Sequence, residues 1–107
     1  MFGLVQDHPL LISTIFEHAT KNFSKQEIVS NTVEGGIHRY TYLDWSKRTK
    51  KLANAFKSFG LKEGDRVGTL AWNGYRHLEI YYATSSSGLV CHTINPRLHP
   101  DQVSYIV

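Results

Sequence analysis

The first amphipathic stretch of the chain covers residues 10–23. Its apolar residues recur at intervals that place them on one face of a helix. They are Ile12, Ile15, Phe16, Ala19 and Phe23. The polar residues Asn22, Ser24 and Lys25 follow as helix stop signals, so the pattern predicts a helix that ends near residue 23.

Two short runs at residues 27–33 and 37–42 have the composition of β-strands. Gly35 and Gly36 lie between them, and glycine tolerates the positive φ angles that a tight hairpin turn requires. The second run, His-Arg-Tyr-Thr-Tyr, is rich in aromatic and β-branched residues. These features predict a β-hairpin.

A second helix is predicted from Thr41 to Phe59. Thr41 can act as the N-cap, and Asp44 completes a variant of the capping box. Gly60 can adopt the left-handed conformation that ends a helix, and Leu61 can make the hydrophobic contact beyond it. The predicted inner face consists of Trp45, Thr49, Leu52, Ala53, Phe56 and Phe59.

The next pattern is a strand, a helix and a strand. Residues 66–72 and 89–94 are mostly apolar, which is typical of parallel strands buried on both faces. Between them, Asn73 is the predicted cap of a helix that stops at Gly88. The chain therefore has the pattern of an α/β fold, with an N-terminal helix, a hairpin and then a βαβ unit with parallel strands.

The C-terminal residues begin one more helical pattern. Pro100 suits the first position of a helix, and the amphipathic pattern after it still has no terminator at Val107. We therefore expect residues 1–107 to form a single incomplete domain.

Composition is that of a folded protein, with 41% hydrophobic residues, 20% charged residues and a net charge of +3. Several basic residues cluster in the second predicted helix, at Lys47, Arg48, Lys50, Lys51 and Lys57. Such a cluster indicates either an anionic partner, such as nucleic acid or a membrane, or a solvated helix face. Because no aromatic residues interleave to stack bases, we favour the solvated face and expect no nucleic-acid partner.

Cys91 is the only cysteine in the chain. It cannot form a disulfide within the chain, which fits a reducing cytosol, and its place in an apolar strand predicts a buried, unreactive thiol. The N-terminal residues 1–9 lack the basic region and cleavage site of a secretory signal. No apolar stretch approaches the roughly 20 residues that span a bilayer. We therefore expect a cytoplasmic protein without a transmembrane segment.

The chain contains few groups that could carry chemistry. No two of its six histidines share a metal-ligand spacing, so no metal site is expected. The hydroxyl-rich run Thr84–Gly88 could be taken for a phosphate loop, but it closes a predicted helix and no Gly-Lys-Ser/Thr follows it. Glycine fingerprints of dinucleotide sites and the serine-hydrolase elbow are absent from the sequence. We therefore predict no catalytic residue within residues 1–107.

Arg97 is the one candidate binding residue. It lies in the turn Asn95–Leu98, at the C-terminal end of the second predicted parallel strand. Open α/β sheets place their ligands at that edge. The alternative is an ordinary solvent-exposed arginine in a turn.

Three segments, in their order and spacing, resemble the N-terminal region of the AMP-forming acyl-CoA synthetases of the adenylate-forming family. They are residues 39–42 with 51–56, residues 59–67, and residues 72–98. Within that family, residues 73–79 and 92–98 look closest to medium- and long-chain fatty-acyl-CoA ligases. They are also similar to ligases for methylthio-propionate.

The resemblance implies that the chain is the N-terminal portion of the family's large domain. It implies a parent enzyme that uses ATP, CoA and Mg²⁺ to adenylate a carboxylate and then form a thioester. The family's functional motifs have no matching positions in residues 1–107, so we expect this segment to be catalytically incompetent and to bind no cofactor alone. In some relatives the turn equivalent to Pro96 and Arg97 lies near the CoA channel, which makes Arg97 a candidate CoA-side contact.

The resemblance also indicates partners. The first is the remainder of the ligase chain, and the second is another copy, because some family members dimerise through this region and an incomplete sheet leaves an unpaired edge. Two alternatives remain open: an enzyme that adenylates an aryl or amino acid, and a short docking protein without catalytic activity.

Overall fold

The computed structural model describes residues 3–107, so Met1 and Phe2, the start of the segment considered as a signal, lie outside it. The described residues form four helices and four strands. In chain order these are α1 (Ile12–Asn22), β1 (Glu27–Asn31), β2 (Ile37–Thr41), α2 (Tyr42–Ser58), β3 (Arg66–Leu70), α3 (Tyr75–Ser85), β4 (Val90–Ile94) and α4 (Pro100–Ile106). The predicted order of elements is confirmed, including Pro100 at the start of α4.

The predicted hairpin is formed by β1 and β2. They pair antiparallel, from Glu27 opposite Thr41 to Asn31 opposite Ile37. Gly35 and Gly36 have φ angles of 89° and 97°, the conformation for which glycine is suited. β1 is shorter than predicted because the connecting turn occupies residues 32–36, and β2 is one residue shorter because α2 begins at Tyr42.

Both ends of α2 have the predicted caps. The Thr41 hydroxyl accepts a hydrogen bond from the Asp44 N–H at 3.2 Å, and the Asp44 carboxylate accepts one from the Thr41 N–H at 3.2 Å. At the other end Gly60, with φ of 86°, donates its N–H to the Lys57 carbonyl at 3.0 Å. The N–H of Leu61 donates to the Phe56 carbonyl at 3.3 Å. These two hydrogen bonds form a Schellman motif, which satisfies carbonyl groups in the last turn of the helix.

The βαβ prediction is also confirmed. β3 and β4 pair in parallel, from Arg66 beside Val90 to Leu70 beside Ile94, and α3 connects them and packs against β4. The carboxyl ends of both strands therefore meet at one edge of the sheet.

The expectation that these strands are buried on both faces is wrong for the described residues. Thr69, which contacts His77 of α3, is 5% exposed, whereas its neighbour Leu70 is 59% exposed. Neighbouring residues of a strand point to opposite faces, so the face towards α3 is covered, whereas Leu70 and Val90 on the other face are exposed within residues 3–107. Cys91 is only half-buried, so the prediction of a buried thiol is also wrong.

Two predictions about helix positions need correction. α3 begins at Tyr75, and its N-cap is Gly74, which makes no side-chain cap; Asn73 does not cap the helix. Phe59 is 76% exposed and does not belong to the inner face of α2. It follows the last helical residue, Ser58, at the point where the chain turns away through Gly60.

An aromatic cluster forms the centre of the core. Phe16 of α1 lies edge-on to Trp45 of α2 at 4.7 Å between ring centroids, and Trp45 lies edge-on to Tyr82 of α3 at 4.7 Å. Edge-to-face pairs of this kind add about 0.5–1.5 kcal/mol beyond burial of their area. Aromatic residues of α1, α2 and α3 therefore join the hairpin side of the molecule to the βαβ unit.

Candidate functional site

The main candidate site is a cleft of about 350 Å³ at the carboxyl edge of β3 and β4. The chain after β3 forms one wall, the turn after β4 forms the other, and two residues of α3 form the floor. The lining residues are Ala71, Trp72, Asn73, His77, Tyr81, Thr93, Ile94, Asn95, Pro96 and Arg97. No aspartate or glutamate is among them, so the described lining carries only positive charge.

Arg97 lies in this cleft, at the edge where the sequence placed it. Its guanidinium group is 5.4 Å from the centre of the Trp72 ring, which joins the two walls through a cation–π contact. The Arg97 N–H donates to the Asn95 side-chain oxygen at 3.0 Å, and this bond fixes the turn. Within residues 3–107, no carboxylate forms an ion pair with Arg97. The guanidinium group is therefore available to an anion.

Sequence reasoning did not identify His77, the buried polar residue of the cleft floor. His77 is 5% exposed, and its Nε2 atom lies 3.0 Å from the Thr69 hydroxyl. Its Nδ1 atom is buried, and no partner for it lies within the described part of the chain. Burial lowers the pKa of His77 from its ordinary value of 6.5, since the uncharged ring needs less solvation.

A helical-spacing signal could have found His77. It lies four residues before Tyr81, so the two side chains occupy the same side of α3, and their rings are 4.6 Å apart. Their shared face also meets β3, because Thr69 is the residue that His77 contacts. The pattern of apolar residues alone could not show this, since histidine and tyrosine can lie on either face.

The other polar cluster of the chain lies away from the cleft. Glu79 accepts two hydrogen bonds from Arg48, at 2.6 and 3.2 Å, and its side chain is only 7% exposed. The hydroxyl of Tyr40 is buried near this pair, and burial together with the negative charge of Glu79 raises the pKa of Tyr40. These contacts join α2, α3 and β2, and we interpret them as structural.

The hydroxyl-rich run lies at the end of α3, as predicted. Thr84 is fully buried, and its hydroxyl donates to the Ile80 carbonyl at 2.7 Å, within the helix. Gly88 has a φ of 74° where the chain leaves the helix. Among residues 3–107 there is no group of three or more histidine, cysteine, aspartate or glutamate side chains that could hold a metal ion.

The family model for AMP-binding enzymes matches residues 16–107, which is most of the chain. The chain belongs to the AMP-binding enzyme family. Over all 107 residues it is 46% identical to a 3-methylmercaptopropionyl-CoA ligase of Ruegeria lacuscaerulensis and covers 20% of that protein. It is 42% identical, again over 107 residues and 20% of the relative, to a medium-chain-fatty-acid–CoA ligase of Ectopseudomonas oleovorans.

The fold of this AMP-binding family member also matches solved structures. A long-chain-fatty-acid CoA ligase from Rhodopseudomonas palustris superposes with a TM-score of 0.78 at 24% identity, over 92% of this chain and 24% of that one. The chain thus matches the N-terminal region of acyl-CoA ligases and spans about a fifth of the length of the curated relatives. The cleft at the sheet edge lies within the residues that the family model matches.

Proposed function

We propose that the full-length protein is an AMP-forming fatty-acid–CoA ligase, and that residues 1–107 are an incomplete, N-terminal part of its large domain. The observation that carries this proposal is the match over all 107 residues to acyl-CoA ligases at 42–46% identity. Membership of the AMP-binding family supports the use of ATP and CoA, with Mg²⁺ supplying positive charge at the phosphates.

The reaction has two steps. A carboxylate oxygen of the substrate forms a bond to the α-phosphorus of ATP, and pyrophosphate leaves with the electrons of the broken P–O bond. The CoA sulfur then bonds to the acyl carbon, and AMP leaves. Both transition states carry negative charge on phosphate or carbonyl oxygens, which needs several convergent donors. Residues 3–107 offer no such cluster, so we propose that catalytic groups lie elsewhere in the protein.

Within this reaction we assign Arg97 a supporting role on the CoA side. Its guanidinium group lies over the Trp72 ring, in a cleft whose described lining contains no acidic residue. An aromatic face beside a cation suits a nucleotide, with its planar base and its phosphates. The matched pair Arg97→Gln and Arg66→Gln tests this role, since Arg66 is also exposed and has no ion pair within residues 3–107.

We expect Arg97→Gln to raise KM for CoA about threefold to tenfold, the loss of one exposed charge–phosphate contact. Pyrophosphate exchange reports the adenylation step, which comes before the reaction with CoA, so its rate should be unchanged. Arg66→Gln should change neither the KM for CoA nor the exchange rate. An unchanged KM for CoA in Arg97→Gln would contradict a role for this residue in CoA binding.

The central test is carboxylate-dependent exchange of labelled pyrophosphate into ATP, followed by thioester formation, with the full-length protein. Fatty acids of medium and long chain should support both reactions. No exchange with any fatty acid would contradict the proposal. The same assay with 3-methylthiopropionate examines the second candidate, which the 46% identity to a 3-methylmercaptopropionyl-CoA ligase favours; aryl and amino acids complete the set.

We also propose the setting in which this segment works. Its first partner is the remainder of the ligase chain, its second is another copy of the protein, and the enzyme acts in the cytoplasm without a nucleic-acid partner. No helix of residues 3–107 has the length and apolar character needed to cross a membrane. The exposed, unpaired edges of the β3–β4 pair support association with further chain.

A further inference from the structure

The net positive charge of the chain comes from one helix. Five basic residues and one acidic residue give α2 a net charge of +4. The other seven basic and eight acidic residues of the sequence sum to −1, so α2 accounts for the whole net charge of +3. Charge segregation of this kind creates a local field that a uniformly mixed surface would lack.

Four lysines of α2 lie along one side of the helix. Lys47, Lys50 and Lys51 are spaced i, i+3 and i+4, and Lys57 comes seven residues after Lys50, which keeps all four on neighbouring turns of one face. From Lys47 to Lys57 this face, the lysine stripe, extends about 15 Å. All four residues are exposed, and the buried residues of α2 lie towards α1 and α3.

The lysine stripe has no carboxylate partners among the described residues. None of its four ammonium groups forms an ion pair within residues 3–107. The one acidic residue of α2, Asp44, is engaged by the Thr41 hydroxyl at 2.6 Å. The Lys50 ammonium lies 6.0 Å from the Phe16 ring, a contact that leaves its charge unneutralised. Arg48 pairs with Glu79 and lies outside the stripe.

We propose that the lysine stripe docks the protein onto an anionic lipid surface. The inference rests on the proposed function, because a fatty-acid substrate dissolves in bilayers and a ligase held at that surface meets it there. The stripe consists of lysine, whose flexible side chain carries a point charge that suits a surface of dispersed negative charge. Arginine is favoured where one phosphate is bound through two parallel hydrogen bonds. Polybasic clusters of this size are attracted to anionic leaflets.

Nucleic acid fits the stripe less well. Single-stranded binders add aromatic side chains on which bases stack. The stripe contains none, since the other residues on that side of α2 after Lys47 are Asn54 and Ser58. Lipid headgroups require no such platform. The lipid surface is therefore the partner that the composition of the stripe favours.

The test uses the full-length protein and sedimentation with two kinds of vesicle, phosphatidylcholine alone and phosphatidylcholine mixed with phosphatidylglycerol. We expect binding to the anionic vesicles only. The double variant Lys47→Gln/Lys51→Gln should weaken it on the order of 30-fold, about fivefold for each lysine. The charge-matched control Lys21→Gln/Lys25→Gln, exposed lysines outside α2, should change affinity less than about twofold.

Three results would overturn the proposal: equal binding to both vesicles, equal loss in the two double variants, or tighter binding of a single-stranded oligonucleotide than of anionic vesicles at matched phosphate. Thioester formation from medium- and long-chain fatty acids supplied in solution, measured without vesicles, keeps the two hypotheses apart. That activity should be the same in the parent and in the stripe variant. Its absence in the parent would refute the ligase proposal, whereas its presence without vesicle binding would refute only the docking surface.

Discussion

At the scale of single residues, the ion pair between Arg48 and Glu79 is asymmetric. The Glu79 side chain is 7% exposed and that of Arg48 is 52% exposed. Arg48→Ala leaves a buried carboxylate without its donors, and we expect it to lower the free energy of unfolding by about 1–3 kcal/mol. Glu79→Gln leaves a guanidinium group that water can still solvate, and should cost less than about 1 kcal/mol. Urea denaturation of both variants measures the difference, and equal losses would contradict this account.

His77 gives the chain a predictable response to pH. Because burial holds its folded pKa below the ordinary value of 6.5, the folded state binds fewer protons than the unfolded state near that pH. The stabilising contribution is complete above about pH 6.5 and is lost as the pH falls towards the folded pKa. His77→Gln can keep the bond to Thr69 but cannot titrate, so its melting temperature should fall less than the parent's from about pH 8 to pH 5. Substitution of the exposed His8 by Gln is the control, and a parallel decline in all three proteins would contradict the prediction.

At the scale of elements, the Thr41 cap decides where strand β2 becomes helix α2. Thr41 is the last residue of β2 and also the N-cap of α2. Thr41→Ala removes the acceptor for the Asp44 N–H and should destabilise the protein by about 1 kcal/mol. Thr41→Ser keeps the hydroxyl and should recover most of that loss. Thermal unfolding of both variants is the measurement, and a serine variant as weak as the alanine variant would argue against the cap.

The elements that could be predicted from sequence are those whose signals are local. Hydroxyl and glycine caps fixed the ends of α2, because a cap bonds to backbone only a few residues away. Burial could not be predicted in the same way. The apolar strand residues Leu70 and Val90 are exposed because the second face of the sheet has no cover within residues 3–107, and the pattern of a single strand cannot show that. The burial of His77 was not predicted for a related reason. It depends on the contact between His77 of α3 and Thr69 of β3, which a local pattern does not show.

At the scale of the whole molecule, the candidate site follows from chain direction. Parallel β3 and β4 bring their carboxyl ends together, so Trp72 and Arg97, which are far apart in sequence, form opposite walls of one cleft. This topological argument was enough to predict Arg97 from the sequence. Neither its contact with Trp72 nor the depth of the cleft could be predicted, because both depend on how the loops after β3 and β4 pack.

The last prediction concerns the incomplete sheet of residues 1–107 when they are produced alone. Within residues 3–107 the sheet formed by β3 and β4 has two strands, and a pair of strands is marginally stable in water without further cover. Its outer edges carry unpaired backbone groups beside exposed apolar side chains such as Leu70, at 59% exposure. We expect this segment to self-associate with rising concentration, as unpaired edges and apolar surface favour pairing with another chain.

Light scattering after size exclusion, over a series of concentrations, measures the association. Leu70→Lys places a charge beside the sheet edge and should shift the segment towards monomer, because lysine at an edge opposes pairing. Val33→Lys alters another exposed apolar residue, in the hairpin turn at 71% exposure, and should have little effect. A strictly monomeric mass at every concentration would contradict the prediction. An equal effect of both lysines would show that general charge repulsion, and not the sheet edge, controls the association.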